Sequence, residues 1–465
     1  MTRAEDTGTG TRRPRIVWHT AAGAVVAAYL LAAAVVVTAH RVVPVPEWLA
    51  LHLLVLGAAT NAVFVWSRFF AQALLNARPG SERPAHLRLG VLNIGVVAVL
   101  SGITSGLAPL AVAGAALVVS AVLAHVASLL AMARSSPLAG PLAVVAWYYV
   151  AAGSALAAGG ALGGVLAAGS VRSPSLDAAL VLAHAEVNLL GWLGLAIIGT
   201  QFMLWPMVLR TRMSDDAPRV ARRVLVLAAG GLAVTAAALL ASPYLASTHW
   251  LAAAGMAAYL AGTAASLVPA AREMRAKPPH TAAAWALLAG NAWLAAALAA
   301  DTAGLAAGLS PAGQVLGRLL IPVLGVGVVG QILTGALTFL LPVTAGGGPA
   351  GNRRLTTILE RGWRTRAILG NAGVLAVIAL PGGGWARTAA WAAVLAGFGT
   401  FPVLATAALA AARASTRRPG RERTSARRRL LAAWGPPGRE PDRVAQATPQ
   451  PSPRRPRPTP QGPAT

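Results

Sequence analysis

The feature of this sequence that most constrains its fold is a succession of twelve long apolar segments between residues 18 and 412. In hydrocarbon a segment has to satisfy its own backbone N–H and C=O groups, which an α-helix does, and about 20 helical residues cross about 30 Å. The composition agrees, since 56% of the residues are hydrophobic and only 11% are charged. We therefore predict an all-α polytopic membrane protein. The segments, numbered spans 1 to 12, are 18–39, 48–66, 89–107, 109–132, 141–168, 178–208, 223–241, 249–270, 281–300, 315–342, 366–381 and 388–412.

The distribution of basic residues between the spans predicts how they cross the membrane. If the N-terminus is cytoplasmic and all twelve spans cross, 35 of the 39 Arg and Lys residues fall on the cytoplasmic side, and the exceptions are Arg41, Arg172, Arg318 and Arg387. One span more or fewer would reverse every later loop and destroy this separation. The sequence thus predicts twelve spans in the plasma membrane with both termini in the cytoplasm. The net charge of +25 then serves orientation in the lipid bilayer, and we expect no nucleic-acid partner.

The chain divides into three regions by composition. Residues 1–17 form a basic cytoplasmic segment, 18–412 the transmembrane domain, and 413–465 a tail dense in arginine and proline. Such a tail cannot bury a core, so we expect it to be disordered in the cytoplasm. The absence of cysteine excludes disulfides, thiolate metal sites and iron–sulfur clusters. The sequence also lacks a nucleotide-binding loop and an HExxH motif.

Span 6 carries three polar residues, His184, Glu186 and Asn188, within five positions of an apolar helix. Ionisable groups at membrane depth are costly and usually mark function. His184 and Asn188 share one helix face, whereas Glu186 points about 200° away from His184. We expect this helix to present two polar faces to two different neighbours.

An internal repeat places three polar residues at equivalent positions. His52, His184 and Arg318 lie near the starts of spans 2, 6 and 10, at spacings of 132 and 134 residues. This spacing predicts three groups of four helices, with helices 2, 6 and 10 meeting at the centre. His52 and His184 are expected about 6–9 Å below the outer surface. Two histidines at one depth could ligate a haem iron or a copper ion.

Two segments carry a resemblance to a known family, residues 52–61 (HLLVLGAATN) and 184–192 (HAEVNLLGW). They resemble subunit I of the haem–copper oxidase and nitric oxide reductase superfamily, in an offshoot found alone or fused to copper nitrite reductase or multicopper oxidase modules. The resemblance covers about 18–412 and implies twelve helices in three four-helix arcs. It also implies that His52 is an axial ligand of haem b, that His184 is a ligand of a second metal, copper, and that a copper-containing redox protein docks on the outer face.

The sequence departs from that family at most of its metal ligands. Span 7 has no histidine pair, and span 10 has Arg318 and no His-x-His motif. Glu186 stands where the offshoot often has a second histidine. Reduction of oxygen or nitric oxide at a binuclear centre is therefore not expected, and an enzymatic activity stays open. We expect Glu186 to neutralise Arg318 instead, because an unpaired charge at that depth is costly.

Two functions remain open from the sequence. The first is a haem- or copper-binding redox protein linked to copper or nitrogen-oxide (nitrite and nitric oxide) metabolism, with His52, His184 and Asn188 at the cofactor. The second is a transporter or a membrane scaffold that keeps the fold without metals. In the second case His52 and His184 are structural histidines and no cofactor is bound.

The charge partition predicts the topology of each loop. Reporter fusions after residues 44, 174 and 246 should give a periplasmic signal, because each position follows an odd-numbered span. A cytoplasmic signal at two of the three positions would contradict the twelve-span topology.

Overall fold

The computed structural model describes residues 12–77, 81–136, 140–245, 247–380 and 384–416, and every regular element within them is a helix. The first helix begins at Arg12, before the boundary that the sequence predicts at residue 18. Residues 1–11, which include Arg3, and the arginine-rich tail after residue 416 lie outside the described residues. The helices are α1 Arg12–Thr38, α2 Pro46–Leu74, α3 Arg83–Thr104, α4 Ala108–Arg134, α5 Val144–Ala167, α6 Pro174–Leu209, α7 Ala217–Ala241, α8 Thr248–Ala276, α9 Ala282–Ala307, α10 Leu309–Val315, α11 Val323–Ala345, α12 Pro349–Leu359, α13 Trp363–Ala379 and α14 Trp385–Ala414.

Proline residues determine where many of the helices begin. Proline fixes φ at a helical value and lacks the N–H that the first turn would leave without an acceptor, so it is favoured at the first helical positions. Six of the described helices begin in this way, at Pro46, Pro84, Pro109, Pro174, Pro218 and Pro349.

Ten of the described helices are long and apolar enough to cross a bilayer, namely α2 to α9, α11 and α14. Helix α1 contributes a shorter apolar stretch, Ala22–Thr38, among the described residues. Helix α13 has 17 residues, which reach about 26 Å at about 1.5 Å per residue. The chain is therefore an all-helical protein with about ten long apolar helices, as expected of an integral membrane protein.

Three helices form the interior of the bundle, α2, α6 and α11. In α2, half of the 18-residue apolar stretch is buried. The buried share of the corresponding stretch is 72% in α6 and α11, and 22–44% in the other spanning helices. The indole N–H of Trp192 in α6 donates to the hydroxyl of Thr60 in α2 at 2.9 Å. Leu51 of α2 packs against Gly325 of α11. Spans 2, 6 and 10, which the repeat places at the centre, contribute these three helices.

Each interior helix contains a π-helical segment, in which the turns are widened by one residue. The segments are Leu53–Ala59 in α2, Val187–Gly194 in α6 and Val323–Gly330 in α11, and a further one, Leu316–Leu320, precedes Pro322. The hydroxyl of Thr60 donates to the carbonyl of Val55 at 2.9 Å and satisfies an acceptor of the widened turn. Ile321 and Pro322 between the two π-helical segments keep helical φ and ψ angles, so span 10 continues as a helix through Pro322.

Glycine allows neighbouring helices to pack backbone against backbone. At the α7–α8 contact, a Cβ on Gly231 would collide with the carbonyl oxygen of Gly255, and a Cβ on Gly255 would lie 2.8 Å from the amide nitrogen of Thr235. Small residues are what permit such approach between membrane helices. A Cβ on the neighbouring Gly230 would have no other atom within 4 Å, so this residue provides a natural comparison.

We expect Gly231→Ala to lower the free energy of unfolding by about 1–3 kcal/mol, because the added methyl group would force α7 and α8 apart. Gly230→Ala should leave it unchanged or raise it by up to about 1 kcal/mol, since alanine is the better helix former. Thermal or denaturant unfolding in one detergent measures both variants. Equal stabilities would show that the backbone contact does not hold these helices together.

Candidate functional site

His52 lies in the seventh position of α2, immediately before the π-helical segment. Its Nδ1 is 2.8 Å from the carbonyl oxygen of Trp48, and the indole of Trp48 stacks on the imidazole with ring centroids 4.0 Å apart. Because a carbonyl only accepts, Nδ1 carries the proton and Nε2 carries the free lone pair. The first turns of α2 therefore fix both the orientation and the tautomer of this ring.

His184 of α6 is held in the same way by a different helix. Its Nδ1 lies 2.9 Å from the carbonyl oxygen of Gly159 in α5, so Nδ1 again carries the proton. The ring also lies against Gly163, where a Cβ would be 2.8 Å from its Cε1 atom. The Gly159-x-x-x-Gly163 pattern of α5 thus provides both the acceptor and the space for this imidazole.

Asn188 supports the backbone of α6 beside His184. Its amide Nδ2 donates to the carbonyl oxygen of His184 at 2.7 Å. The same amide fills the space above Gly159, where a Cβ would approach its Cγ atom to 2.6 Å. The amide of Asn188 thus serves the packing of α6 on α5, and its role toward a ligand stays a prediction.

The fold brings His52 and His184 together from α2 and α6. Their ring centroids are 6.5 Å apart and their planes differ by 19°. Both residues are partly buried. Among the hydrogen bonds of the described residues, each ring uses only Nδ1. The result is a pair of nearly parallel imidazoles whose Nε2 lone pairs are not used in hydrogen bonds.

The donor set of this pair fits a metal centre that needs two nitrogen ligands. If one metal lay between the two Nε2 atoms, about 2 Å from each, the ring centroids would be about 6 Å apart. The observed separation is 6.5 Å. A Nδ1–H bonded to a carbonyl oxygen is the outer-shell arrangement typical of metal-ligating histidines. In the described part of the chain no group of three His, Cys, Asp or Glu side chains could hold an ion. The pair therefore offers two nitrogen ligands, fewer than a metal that needs four protein ligands would require.

Glu186 does not pair with Arg318. Arg318 is exposed, and neither residue takes part in an ion pair within the described residues. Glu186 is 2% exposed and interacts electrostatically with Asp301 of α9, which is 1% exposed. Among the described residues, none of the four carboxyl oxygens of Glu186 and Asp301 has a hydrogen-bond partner. The second polar face of α6 is therefore a buried pair of acids, and the predicted charge pair is wrong.

Asp301 is the residue of this region that the sequence did not identify. It follows the predicted end of span 9 at residue 300, where an aspartate would be solvated. Helix α9 continues to Ala307, however, and carries Asp301 into the interior. The apolar residues from Gly304 to Ala307 after the aspartate are the signal that could have placed it inside the helix.

Polar residues elsewhere in the bundle join helices to one another. The Asn93 amide donates to Asn61 Oδ1 at 2.8 Å, and the Asn291 amide donates to Gln201 Oε1 at 2.7 Å. His125 of α4 lies 2.9 Å from the hydroxyl of Ser67 in α2. These contacts satisfy buried polar groups inside the bundle, so we assign them to packing.

Comparison with protein-family models finds no match, and a search of curated proteins finds no similar protein. The resemblance of residues 52–61 and 184–192 to the haem–copper oxidase superfamily therefore stays a prediction.

Proposed function

We propose that this integral membrane protein holds one haem iron or one copper ion between His52 and His184 and takes part in electron transfer. The proposal extends to the finer features that the sequence suggests. These are twelve spans in three four-helix arcs like those of haem–copper oxidase subunit I, and a plasma-membrane location with both termini in the cytoplasm. We also propose a role in copper or nitrogen-oxide metabolism, beside a copper-containing redox protein on the outer face.

The observation that carries the proposal is the shared hydrogen bonding of the two rings. Structural histidines in a membrane interior tend to use their polar atoms to join helices, as His125 does with Ser67. His125 uses its Nε2 atom for this contact. His184 also joins two helices, through Nδ1 and the carbonyl of Gly159, but among the described residues the hydrogen bonds of His52 and His184 involve only Nδ1 and leave Nε2 free. The neutral imidazole with a free Nε2 is the form that binds a metal.

The residues around the pair hold the rings in place. Trp48 covers one face of His52, and Gly163 lets α5 approach the edge of His184. A haem or copper centre supplies one-electron chemistry when it is bound. Binding of one metal and electron transfer need no further ligand, whereas reduction of a substrate at a binuclear centre would need the histidines that spans 7 and 10 lack.

We expect the protein from cells grown with copper and a haem precursor to contain about one haem or one copper ion per chain. His52→Ala and His184→Ala should each lower this content at least about tenfold, since each removes a ligand. The visible absorption spectrum and elemental analysis measure the two cofactors. His40→Ala is the matched control, because His40 is exposed in the turn after α1 and its ring bonds to the carbonyl of Val37.

The wild-type protein would contradict the proposal if it bound neither cofactor. Equal cofactor content in all three variants would contradict the assignment of the two histidines while leaving a cofactor elsewhere in the chain.

A specific observation favours a second candidate function, transport of a proton or a small monovalent cation. Glu186 and Asp301 come from two helices, are buried, and offer four oxygens without a hydrogen-bond partner among the described residues. Two bare carboxylates in a membrane interior are costly, so the pair needs a bound proton or cation. Ionisable residues in such positions commonly mark ion pathways.

Flux into liposomes tests this second candidate. If the protein transports a cation or a proton, Glu186→Gln and Asp301→Asn should each abolish the flux, because each removes one carboxylate of the pair. Asp177→Asn is the control, since Asp177 is exposed in the first turn of α6. Absence of flux in the wild-type protein would exclude transport of the ions tested and leave the metal site unaffected.

A further inference from the structure

Helix α12, Pro349–Leu359, is a short amphipathic helix between the ends of α11 and α13. Its 11 residues reach only about 17 Å at about 1.5 Å per residue, too short to cross a bilayer. It follows α11 through Gly346, Gly347 and Gly348, and the last two have positive φ angles of 72° and 146°. A sharp turn therefore returns the chain at the end of the bundle instead of continuing the span.

The apolar side of α12 is anchored in the protein. Leu355 and Leu359 are 2% and 0% exposed, and they belong to a cluster that includes Leu341 of α11 and Leu409 of α14. The guanidinium of Arg366 donates to the carbonyl oxygen of Leu359 at 2.7 Å and satisfies an acceptor at the C-terminal end of the helix. The orientation of this helix is thus fixed by its own packing.

The opposite side of α12 is basic and exposed. At about 100° per residue, Arg353 and Arg354 project away from the side that carries Leu355 and Leu359. Arg361 and Arg364 follow in the connection to α13 and at its first turn, and all four arginines are exposed. The guanidinium of Arg364 lies 5.5 Å from the centroid of the Trp363 ring, and indole rings favour the membrane–water interface.

These four arginines lack a carboxylate partner within the described residues, where ion pairs form only between Arg68 and Glu82 and between Arg272 and Asp216. The one acidic residue of this segment is Glu360, and its Oε1 accepts from the backbone N–H of Ala282 at 3.3 Å. This surface beside apolar helix ends therefore carries four positive charges against the one negative charge of Glu360. Anionic headgroups at the bilayer surface have the complementary charge.

We propose that Arg353, Arg354, Arg361 and Arg364 form a docking surface for the phosphate groups of anionic phospholipids, which fixes α12 at the membrane–water boundary. The lipid supplies the negative charge that the chain lacks here, and its acyl chains lie along the apolar helices. Arg366 is not part of this surface, because it is partly buried and caps α12.

Retention of lipid by the full-length protein tests the proposal. The protein is purified from membranes that contain phosphatidylglycerol and phosphatidylcholine, and bound lipids are counted by native mass spectrometry. Wild type should retain phosphatidylglycerol preferentially, and less of it as the salt concentration rises. The double variant R353Q/R354Q should retain at least about tenfold less, because each arginine near a surface contributes about fivefold.

The matched control is the double variant R41Q/R172Q, which removes the same number of exposed charges from other loops. It should retain phosphatidylglycerol like wild type, and both double variants should unfold at the wild-type temperature in phosphatidylcholine, which shows that folding is intact. Equal loss in both double variants would overturn the proposal, since only overall charge would then matter. Displacement of the lipid by inorganic phosphate but not by chloride at the same ionic strength would indicate a site for free phosphate and overturn the proposal, and so would no preference for phosphatidylglycerol in wild type.

Discussion

The constraint on which this structure depends is that hydrocarbon offers no hydrogen-bond partner. Each polar group inside the bundle has to find one within the chain. Most of them do, and the contacts join helices that are distant in sequence, as between Trp192 and Thr60. The groups that stay without a partner are therefore informative. In the described interior they include the Nε2 atoms of His52 and His184 and the carboxyl groups of Glu186 and Asp301.

Helix α6 connects these two sets of groups. One of its faces carries His184 and packs on the glycines of α5, and another carries Glu186 toward α9. The π-helical segment begins immediately after Glu186 and widens the helix where both faces are used. Such segments are frequent at functional sites. The interior position of α6 thus places one member of the imidazole pair, His184, and one member of the acid pair, Glu186, within one turn of the same helix.

The sequence predicts the helical class, the interior position of spans 2, 6 and 10, and the meeting of two histidines separated by 132 residues. Regular spacing carries this information, because equivalent helices of a repeat occupy equivalent positions. The acid pair could not be predicted in this way. It depends on where α9 ends, and a single aspartate near a helix end is compatible with either solvent or the interior. Depth alone suggested that Arg318 pairs with Glu186, but the arginine side chain faces outward.

The most direct test of the central claim, a metal centre held by two imidazoles, is X-ray absorption at the metal edge of the purified protein. Our account predicts nitrogen atoms at about 2 Å and the outer-shell scattering of two histidine rings supplied by the protein. His184→Ala should lose most of the bound metal, and the metal that remains should show the scattering of one ring fewer. A first shell of oxygen alone, or a spectrum without imidazole scattering, would contradict the account.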